Sequence, residues 1–487
     1  MNLKELLTDI YPSELPETWQ QFNVKEVCDD SRKAGAGSLF IACKGGTEDG
    51  GSYIKDAVKR GACIVICDEG MHELPSSEEV LCLKVASPNR IMPRIINRFY
   101  DDPSKDIKTI GVTGTNGKTT ISYLLESIFE KYHKTCGVIG TISHRVGMLT
   151  HESKNTTPGI VDNYGLISDM VDMGMNYCVM EVSSHALDQG RVEGIRFEYA
   201  VFTNLTSDHL DYHQDREQYF QAKALLFTEY SPKNSVLNID DEYGRKLSEH
   251  VNTSKLTYAI NAQADIMAQE IELTLSGSNF RLVTPQGQIN LKTSMVGQHN
   301  IYNMLAAVSV TIQENIPLGN IKEGIEALSC VPGRLERIDC GQKFIVFVDY
   351  AHTEDALKNV LTSIKNVSTE KIFLLFGCGG SRDKTKRPKM GKVASEYADH
   401  VILTNDNPRQ EDPQAIIDNI AAGFEKRNFE IFPDREQAIK RILQLASKGN
   451  IVLIAGKGHE DYQILRNETI PFDDRAMVRS MLSESYG

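Results

Sequence analysis

Short apolar runs alternate with stretches of helical spacing along most of the chain, the pattern of buried parallel strands joined by helices. In the first hundred residues, Val24–Asp30 leads to DSRKAGAGSLFIACKGG, a helix-like YIKDAVKRGA, and the strands CIVICDE and VLCLKV. This predicts a small α/β domain over 1–98 without a phosphate loop of the usual kind; SPNRIMPRIINRFYDDPS (87–104) reads as its helical connector. Over 99–332, strands are predicted at Ile107–Val112, CGVIGT (136–141), Tyr177–Met180 and YAVFTNL (199–205). A helix spans 216–230, 264–293 is β-rich, and another helix opens at MVGQHNIYNM. Over 333–487, apolar strands recur at 343–348, 371–376, 400–404 and 451–455 with helices between, a second nucleotide-type fold. The fold class expected is α/β in three domains: a small N-terminal unit, a central P-loop ATPase-type unit and a C-terminal Rossmann-like unit.

The central unit carries the strongest local signal. Strand Ile107–Val112 runs into a turn holding Gly114 and Gly117, then Lys118-Thr119-Thr120, then ISYLLESIF with helical spacing. Strand, glycine turn and helix make an anion cradle: backbone N–H groups and the helix N-terminus face phosphate, Lys118 adds a point charge, and the Thr119 hydroxyl suits Mg²⁺. The strict GxxxxGK[ST] spacing is not met, because position 112 is Val. A nucleoside triphosphate is the expected ligand.

Other candidates sit at strand ends, where the ligand crevice of a doubly wound sheet lies. Strand Tyr177–Met180 ends in Glu181, and YAVFTNL is crowned by Asp208, His209, Asp211 and His213. Lys223 lies among apolar neighbours and reads as a snorkelling lysine on a helix face. Asn300 and Asn303 either cap their helix or touch a base, and Asp30-Ser31-Arg32 either grips a polar ligand or forms a solvated turn. In the last unit, DYAH, GCGGSRDKTKRP, NDNPRQEDP and GKGHED follow successive strands, too many charges and glycines for plain turns.

A net charge of −13 with no basic block argues against a nucleic-acid partner. The N-terminus lacks signal-peptide character, and the longest apolar runs are too short to span a bilayer. The ten cysteines form no CxxC pair and read as buried residues of a reducing compartment, so a cytoplasmic location is expected. A phosphate loop with acidic metal candidates indicates Mg²⁺-assisted phosphoryl transfer. The cationic loops bearing Arg382, Lys384, Lys386 and Arg409 call for a separate anionic substrate. A ligase that activates a carboxylate with ATP fits better than a nucleic-acid motor or a switch GTPase.

The stretches GVTGTNGKTT, NTTPG, EVSSHALDQGRV, FTNLTSDHLDYH, YFQAKALLF, GRLERI, DYAHT and AGKGHEDYQ resemble, in order and over essentially the whole chain, the signatures of the Mur ligases, which build peptidoglycan precursors. The resemblance implies the branch that adds the third stem-peptide residue to a UDP-N-acetylmuramoyl dipeptide through an acyl phosphate. It implies ATP phosphate binding by Gly114, Thr115, Asn116, Gly117, Lys118, Thr119 and Thr120, with Asn300, Asn303, Arg334 and Asp349 around the nucleotide. Thr119, Glu181, His209 and Lys223 would form the Mg²⁺ site, Lys223 as a CO₂-derived carbamate (N6-carboxylysine). Asn155, Thr156, Thr157, Ser183, Gln189 and Arg191 would hold the muramoyl dipeptide, with Ser31 at its uridine end. Arg382, Asp406, Asn407, Pro408, Arg409, Gly456 and Glu460 would hold the amino acid. Lys118 and Lys223 would be catalytic, and His352 is either a base for the amine or a structural histidine of its loop.

The DNPR form implies meso-2,6-diaminopimelate: a guanidinium fork at Arg409 pairs with the extra carboxylate, which L-lysine lacks. A folylpolyglutamate-type ligase shares the phosphate loop and the lysine but would not need the unit at 1–98. A nucleotide-binding protein with a dead site would have lost residues that are all present here. Two positions depart from the family pattern, Ser381 for the usual Asp and Glu354 for the usual Pro. The resemblance implies small-molecule substrates; with the charge and the short apolar runs, no nucleic acid and no membrane insertion are expected, and binding three substrates between domains favours a monomer with three mobile domains.

Overall fold

In the computed structural model, which describes residues 1–486 apart from 12–13, 46–47, 72–73, 75–78, 207 and 209, three α/β units follow one another, each built on its own sheet. The first has four parallel strands in sequential order: β1 (Glu26–Cys28), β2 (Ser38–Ile41), β3 (Ala62–Asp68) and β4 (Leu81–Val85). Helix α1 (Pro88–Phe99) leads out of it.

The second sheet has eleven strands: β5 (Lys108–Thr113), β6 (Cys136–Ile139), β7 (Ser143–Val146), β8 (Leu149–Glu152), β9 (Tyr177–Glu181), β10 (Tyr199–Phe202), β11 (Asn234–Asn238), β12 (Ser254–Ala259), β13 (Ile266–Thr274), β14 (Gly277–Thr284) and β15 (Gly287–Thr293). Its order is β15-β14-β13-β12-β11-β10-β5-β9-β6-β7-β8. β9 and β10 are buried at every position, as strands covered on both faces must be, whereas β14, antiparallel to both neighbours, alternates between buried and half-buried positions along most of its length. From β5 the chain crosses to β6 on one side and later returns to β10 on the other. The crevice at the C-terminal ends of β5, β9 and β10 is therefore a topological switch point. Helices α2 (Lys118–Lys131) and α4 (Gln298–Gln313) close one face through Leu124, Leu125, Met304 and Val308, and α3 (Arg216–Thr228) closes the other through Phe220, Leu226 and Phe227.

The third sheet runs β16-β17-β21-β18-β19-β20, from β16 (Glu336–Ile338), β17 (Ile345–Asp349), β18 (Ile372–Phe376), β19 (His400–Leu403), β20 (Phe429–Ile431) and β21 (Ile451–Ala455). Only β16 is antiparallel to its neighbour. Helices α5 (Glu354–Lys365), α6 (Arg435–Leu445) and α7 (Asp474–Tyr486) pack around it, and the hairpin β22 (Tyr462–Ile464) with β23 (Thr469–Pro471) stands apart. The strand expected at 136–141 stops at Ile139, where the hairpin β7–β8 begins. Neither hairpin was foreseen, because strands of three or four residues are too short to display a period.

Candidate active site

A single cavity of about 1320 Å³ joins the C-terminal ends of the central strands to the strand-end loops of the third unit. The phosphate loop forms one wall. Gly114 has φ +143°, and a Cβ there would sit 1.8 Å from Thr203 Oγ1, so no other residue fits. The loop is clamped by the segment after β10: Thr115 N–H donates to Asn204 O (2.9 Å), Asn116 N–H to Asn204 Oδ1 (3.0 Å), and Thr203 Oγ1 to Asn116 O (2.6 Å). Lys118 Nζ curls over the loop and donates to the carbonyls of Gly114 (2.8 Å) and Thr115 (2.9 Å). Burial holds its pKa below the ordinary lysine value.

Behind the loop, Glu181 is 1% exposed and has no Lys, Arg or His ion-pair partner among the described residues. Its carboxylate accepts from Thr119 Oγ1 (3.0 Å), Thr141 Oγ1 (2.8 Å) and Thr141 N (3.0 Å). Hard oxygens around a buried carboxylate with no direct ion pair among the described residues fit Mg²⁺, which takes few protein ligands and completes its shell from phosphate and water. His209 lies outside the described residues.

Lys223 is not a surface lysine. It is 1% exposed, donates to Gly114 O at 3.0 Å and lies 4.5 Å from the Tyr219 ring centroid. Burial first, then the Lys118 ammonium, pushes its pKa well down, which favours the neutral amine over the ammonium. It stands behind the loop and, like Gly114, does not line the cavity.

Across the cavity, Arg334 Nη2 donates to Thr119 Oγ1 (3.2 Å) and its guanidinium lies over Tyr350. Asp349 accepts from the N–H groups of Leu335 (2.6 Å) and Ala351 (2.8 Å), and burial raises its pKa. Asn300 and Asn303 do not cap α4, whose N-cap is Gly297. They are buried and bonded to each other at 3.2 Å, with Asn303 Oδ1 close against Gly117. His352 Nδ1 lies 2.9 Å from Tyr350 O. A carbonyl only accepts, so Nδ1 carries the proton and Nε2 keeps the lone pair.

On the side of β9, Thr157 Oγ1 donates to Glu181 O (2.8 Å) and accepts from Ser183 N (3.0 Å), while Thr156 and Thr141 hydroxyls meet at 3.0 Å. Arg191 donates to Thr157 O (3.0 Å) and is steered by Gln189 Oε1 (2.9 Å). Asn155, Thr156, Thr157, Ser183 and Arg191 line the cavity; Gln189 does not. Ser31 is also outside it, buried and donating to Asp56 (3.0 Å), while Arg32 is exposed and folded back onto Asp30.

At the far end, Arg382, Asp406, Asn407, Arg409, Gly456 and Glu460 all line the cavity, and Pro408 does not. Arg409 Nη1 donates to Gly380 O at 3.0 Å, and the guanidinium has no carboxylate partner among the described residues, so its charge is not neutralised by a side chain. Asn407 Nδ2 donates to Glu460 Oε2 (2.9 Å), and burial raises the Glu460 pKa. Ser381 occupies a left-handed position (φ +52°), and it is its backbone N–H that donates to Glu411. The usual Asp is therefore not needed for that contact. Thr141, Lys457 and the Arg435–Asp474 pair escaped the sequence reading. Lys457 had a signal, a lysine closing an apolar strand inside GKGHED; the others had none.

The geometry defines a phosphate-loop protein with one site built from two α/β units. Family models for the Mur ligase family catalytic domain, middle domain and glutamate ligase domain match residues 23–100, 112–311 and 333–458. The chain belongs to the Mur ligase family. It is 39% identical over 486 residues, 99% of this chain and 100% of the relative, to a UDP-N-acetylmuramoyl-L-alanyl-D-glutamate--2,6-diaminopimelate ligase of Clostridium botulinum. It is 43% identical over 464 residues to the enzyme so named in Oceanobacillus iheyensis, covering 93% of this chain and 94% of that one. A solved structure with the same name superposes with a TM-score of 0.69 at 32% identity, covering 100% of both chains. A folylpolyglutamate synthase of Mycobacterium tuberculosis (TM-score 0.64, 16% identity, 80% of this chain and 93% of that one) shares the fold.

Proposed function

We infer that the protein is an ATP-dependent carboxylate–amine ligase that adds meso-2,6-diaminopimelate to UDP-N-acetylmuramoyl-L-alanyl-D-glutamate through an acyl phosphate, in peptidoglycan precursor synthesis. The observation that carries this reading is the single cavity, with a phosphate loop at one end and an Arg409 fork lacking a carboxylate partner among the described residues at the other.

The D-glutamate γ-carboxylate attacks the ATP γ-phosphorus and ADP leaves; the incoming amine then attacks the acyl carbon, and phosphate departs as the tetrahedral intermediate collapses. The N–H groups of Gly117 to Thr120, at the start of α2, and the Lys118 ammonium neutralise charge on the phosphates, while the Thr115 and Asn116 N–H groups stay on Asn204. Lys118 turns to them from the loop carbonyls it holds here. Thr119 and Glu181, with His209, would hold Mg²⁺, which when bound polarises the phosphoryl group. Lys223 as a carbamate would supply an anion beside Lys118 to organise that site. Asn300, Asn303, Arg334 and Asp349 surround the nucleotide, and Asn155, Thr156, Thr157, Ser183 and Arg191, with Gln189 steering Arg191, hold the dipeptide. His352 Nε2, with its lone pair, takes the proton from the amine. Arg409 pairs with the distal carboxylate, Glu460 with the distal ammonium, and Arg382, Asp406, Asn407 and Gly456 complete the pocket.

We assign the uridine end to the unit at 1–98, ATP to 99–332 and the amino acid to 333–487, in a cytoplasmic monomer. No helix among the described residues is long and apolar enough to cross a membrane. The test is phosphate release from ATP, Mg²⁺ and the UDP-muramoyl dipeptide, with meso-diaminopimelate or L-lysine in parallel. Turnover with diaminopimelate alone is expected. Preference for lysine overturns the role of Arg409, and silence with both overturns the ligase reading.

A further inference from the structure

The loop that ends in Glu460 and the loop that bears Arg409 come from different strands, β21 and β19, yet one buried cation joins them. Lys457 is 0% exposed. Its Nζ donates to Glu460 Oε2 (3.0 Å), to Asn407 Oδ1 (3.3 Å) and to the carbonyl of Tyr462, the first residue of β22. Asn407 in turn donates to the same Glu460 oxygen, Oε2, at 2.9 Å, and its Oδ1 also accepts from Ile464 N at 2.9 Å. Arg409 N–H donates to Ile464 O at 3.2 Å, and Gln463 Nε2 to Asp406 O at 2.7 Å. The 406–409 loop is thus stitched to β22, and Lys457 fastens both to Glu460.

Both of these bonds to Glu460 fall on Oε2, which leaves Oε1 clear of them in a residue that lines the cavity. Burial raises the pKa of this carboxylate, and the Lys457 ammonium works against that rise. The amine substrate carries an ammonium and a carboxylate on one carbon at its far end. Reading both at once requires a fixed spacing between an anion and a guanidinium.

We propose that Lys457 is the positioning residue that sets this spacing: by holding Glu460 and Asn407 together it aims Glu460 Oε1 and the Arg409 fork at the two charges of the amino-acid substrate. The inference rests on the ligase reading above and adds to it a residue that touches no substrate.

The test compares the wild-type protein with Lys457→Met, Glu460→Gln and the double variant in the phosphate-release assay, with folding followed by thermal melting. Losing a charged hydrogen bond at this site raises KM for meso-diaminopimelate about tenfold or more. KM for ATP and for the UDP-muramoyl dipeptide is expected to stay within about twofold, since those subsites rest on other contacts. Because Lys457 acts through Glu460, the double variant should have a KM for diaminopimelate no higher than that of Glu460→Gln alone. If Lys457→Met does not fold, Lys457→Gln keeps a donor toward Asn407 without the charge, and the same split is expected from it. An unchanged KM for diaminopimelate in a folded variant, an equal rise for all three substrates, or additive single effects each overturn the proposal. Wild-type protein that turns over with neither amino acid overturns the ligase reading, and the role of Lys457 with it.

Discussion

Replacing Asp474 with asparagine removes one partner from a fully enclosed ion pair. Arg435 and Asp474 begin α6 and α7, and both side chains are 0% exposed. Two parallel bonds join them, Nε to Oδ1 at 2.8 Å and Nη2 to Oδ2 at 2.7 Å. The remaining guanidinium donors reach Asn405 O (3.1 Å) and Ala455 O (3.2 Å), the residues just before Asp406 and Gly456. The variant keeps one acceptor oxygen but turns an amide NH₂ toward the guanidinium, so at most one of the two bonds survives and the cation is left uncompensated. Breaking a buried pair in this way costs about 3–5 kcal/mol. For a unit of roughly 150–250 residues, 1 kcal/mol shifts Tm by about 2–4 °C, so the third unit should melt ~6–20 °C lower. Calorimetry is the suitable assay, because the single tryptophan, Trp19, lies in the first unit and reports nothing about the third. KM for the amino acid should rise as well, since Arg435 holds the roots of both loops. A Tm shift under about 2 °C would show that the pair is compensated by something other than the geometry described.

Arg409→Ala should raise KM for meso-diaminopimelate by about 10–100-fold, the worth of the charged hydrogen bonds lost, while rates with L-lysine barely move; parallel initial-rate measurements check this. Gly114→Ala places a Cβ 1.8 Å from Thr203 Oγ1 at φ +143°, so ATP-dependent phosphate release should drop by roughly 100-fold or more while circular dichroism stays near wild type. Burial holds His299 at about 4, against an ordinary 6.5, and holds His459 at about 3, with Arg334 and Arg475 adding to the depression. The unfolded chain takes up these protons below pH 6.5 and the folded chain does not, so stability is full above 6.5 and falls as pH drops toward 4. His299→Gln should flatten that slope by up to about 1.4 kcal/mol per pH unit in urea unfolding, and an unchanged slope would refute the buried neutral state.

Features encoded by neighbouring residues were legible along the chain. The phosphate loop is a strand, a turn and a helix in succession, so its glycines, Lys118 and Thr119 are bound to share one anion cradle wherever the rest of the chain lies. The periodicity of the long apolar strands likewise announced parallel sheets with their ends in a crevice. Arg409 stood out along the chain as one of the cations of a strand-end loop, whereas Glu460 was singled out only through the family resemblance.

Tertiary structure alone decided the contacts between distant segments. Periodicity gives the buried face of an element but not its neighbour across the sheet. Lys223 thus looked like an ordinary snorkelling side chain until folding set it against Gly114 O. Ser31, a candidate by its loop, is turned to Asp56 instead of the cavity. Thr141 holding Glu181, Arg334 reaching Thr119 from the next unit, and Arg435 meeting Asp474 join residues 40, 215 and 39 apart in the chain. A contact of that span depends on how helices and strands stack, which no local pattern of polar and apolar residues records.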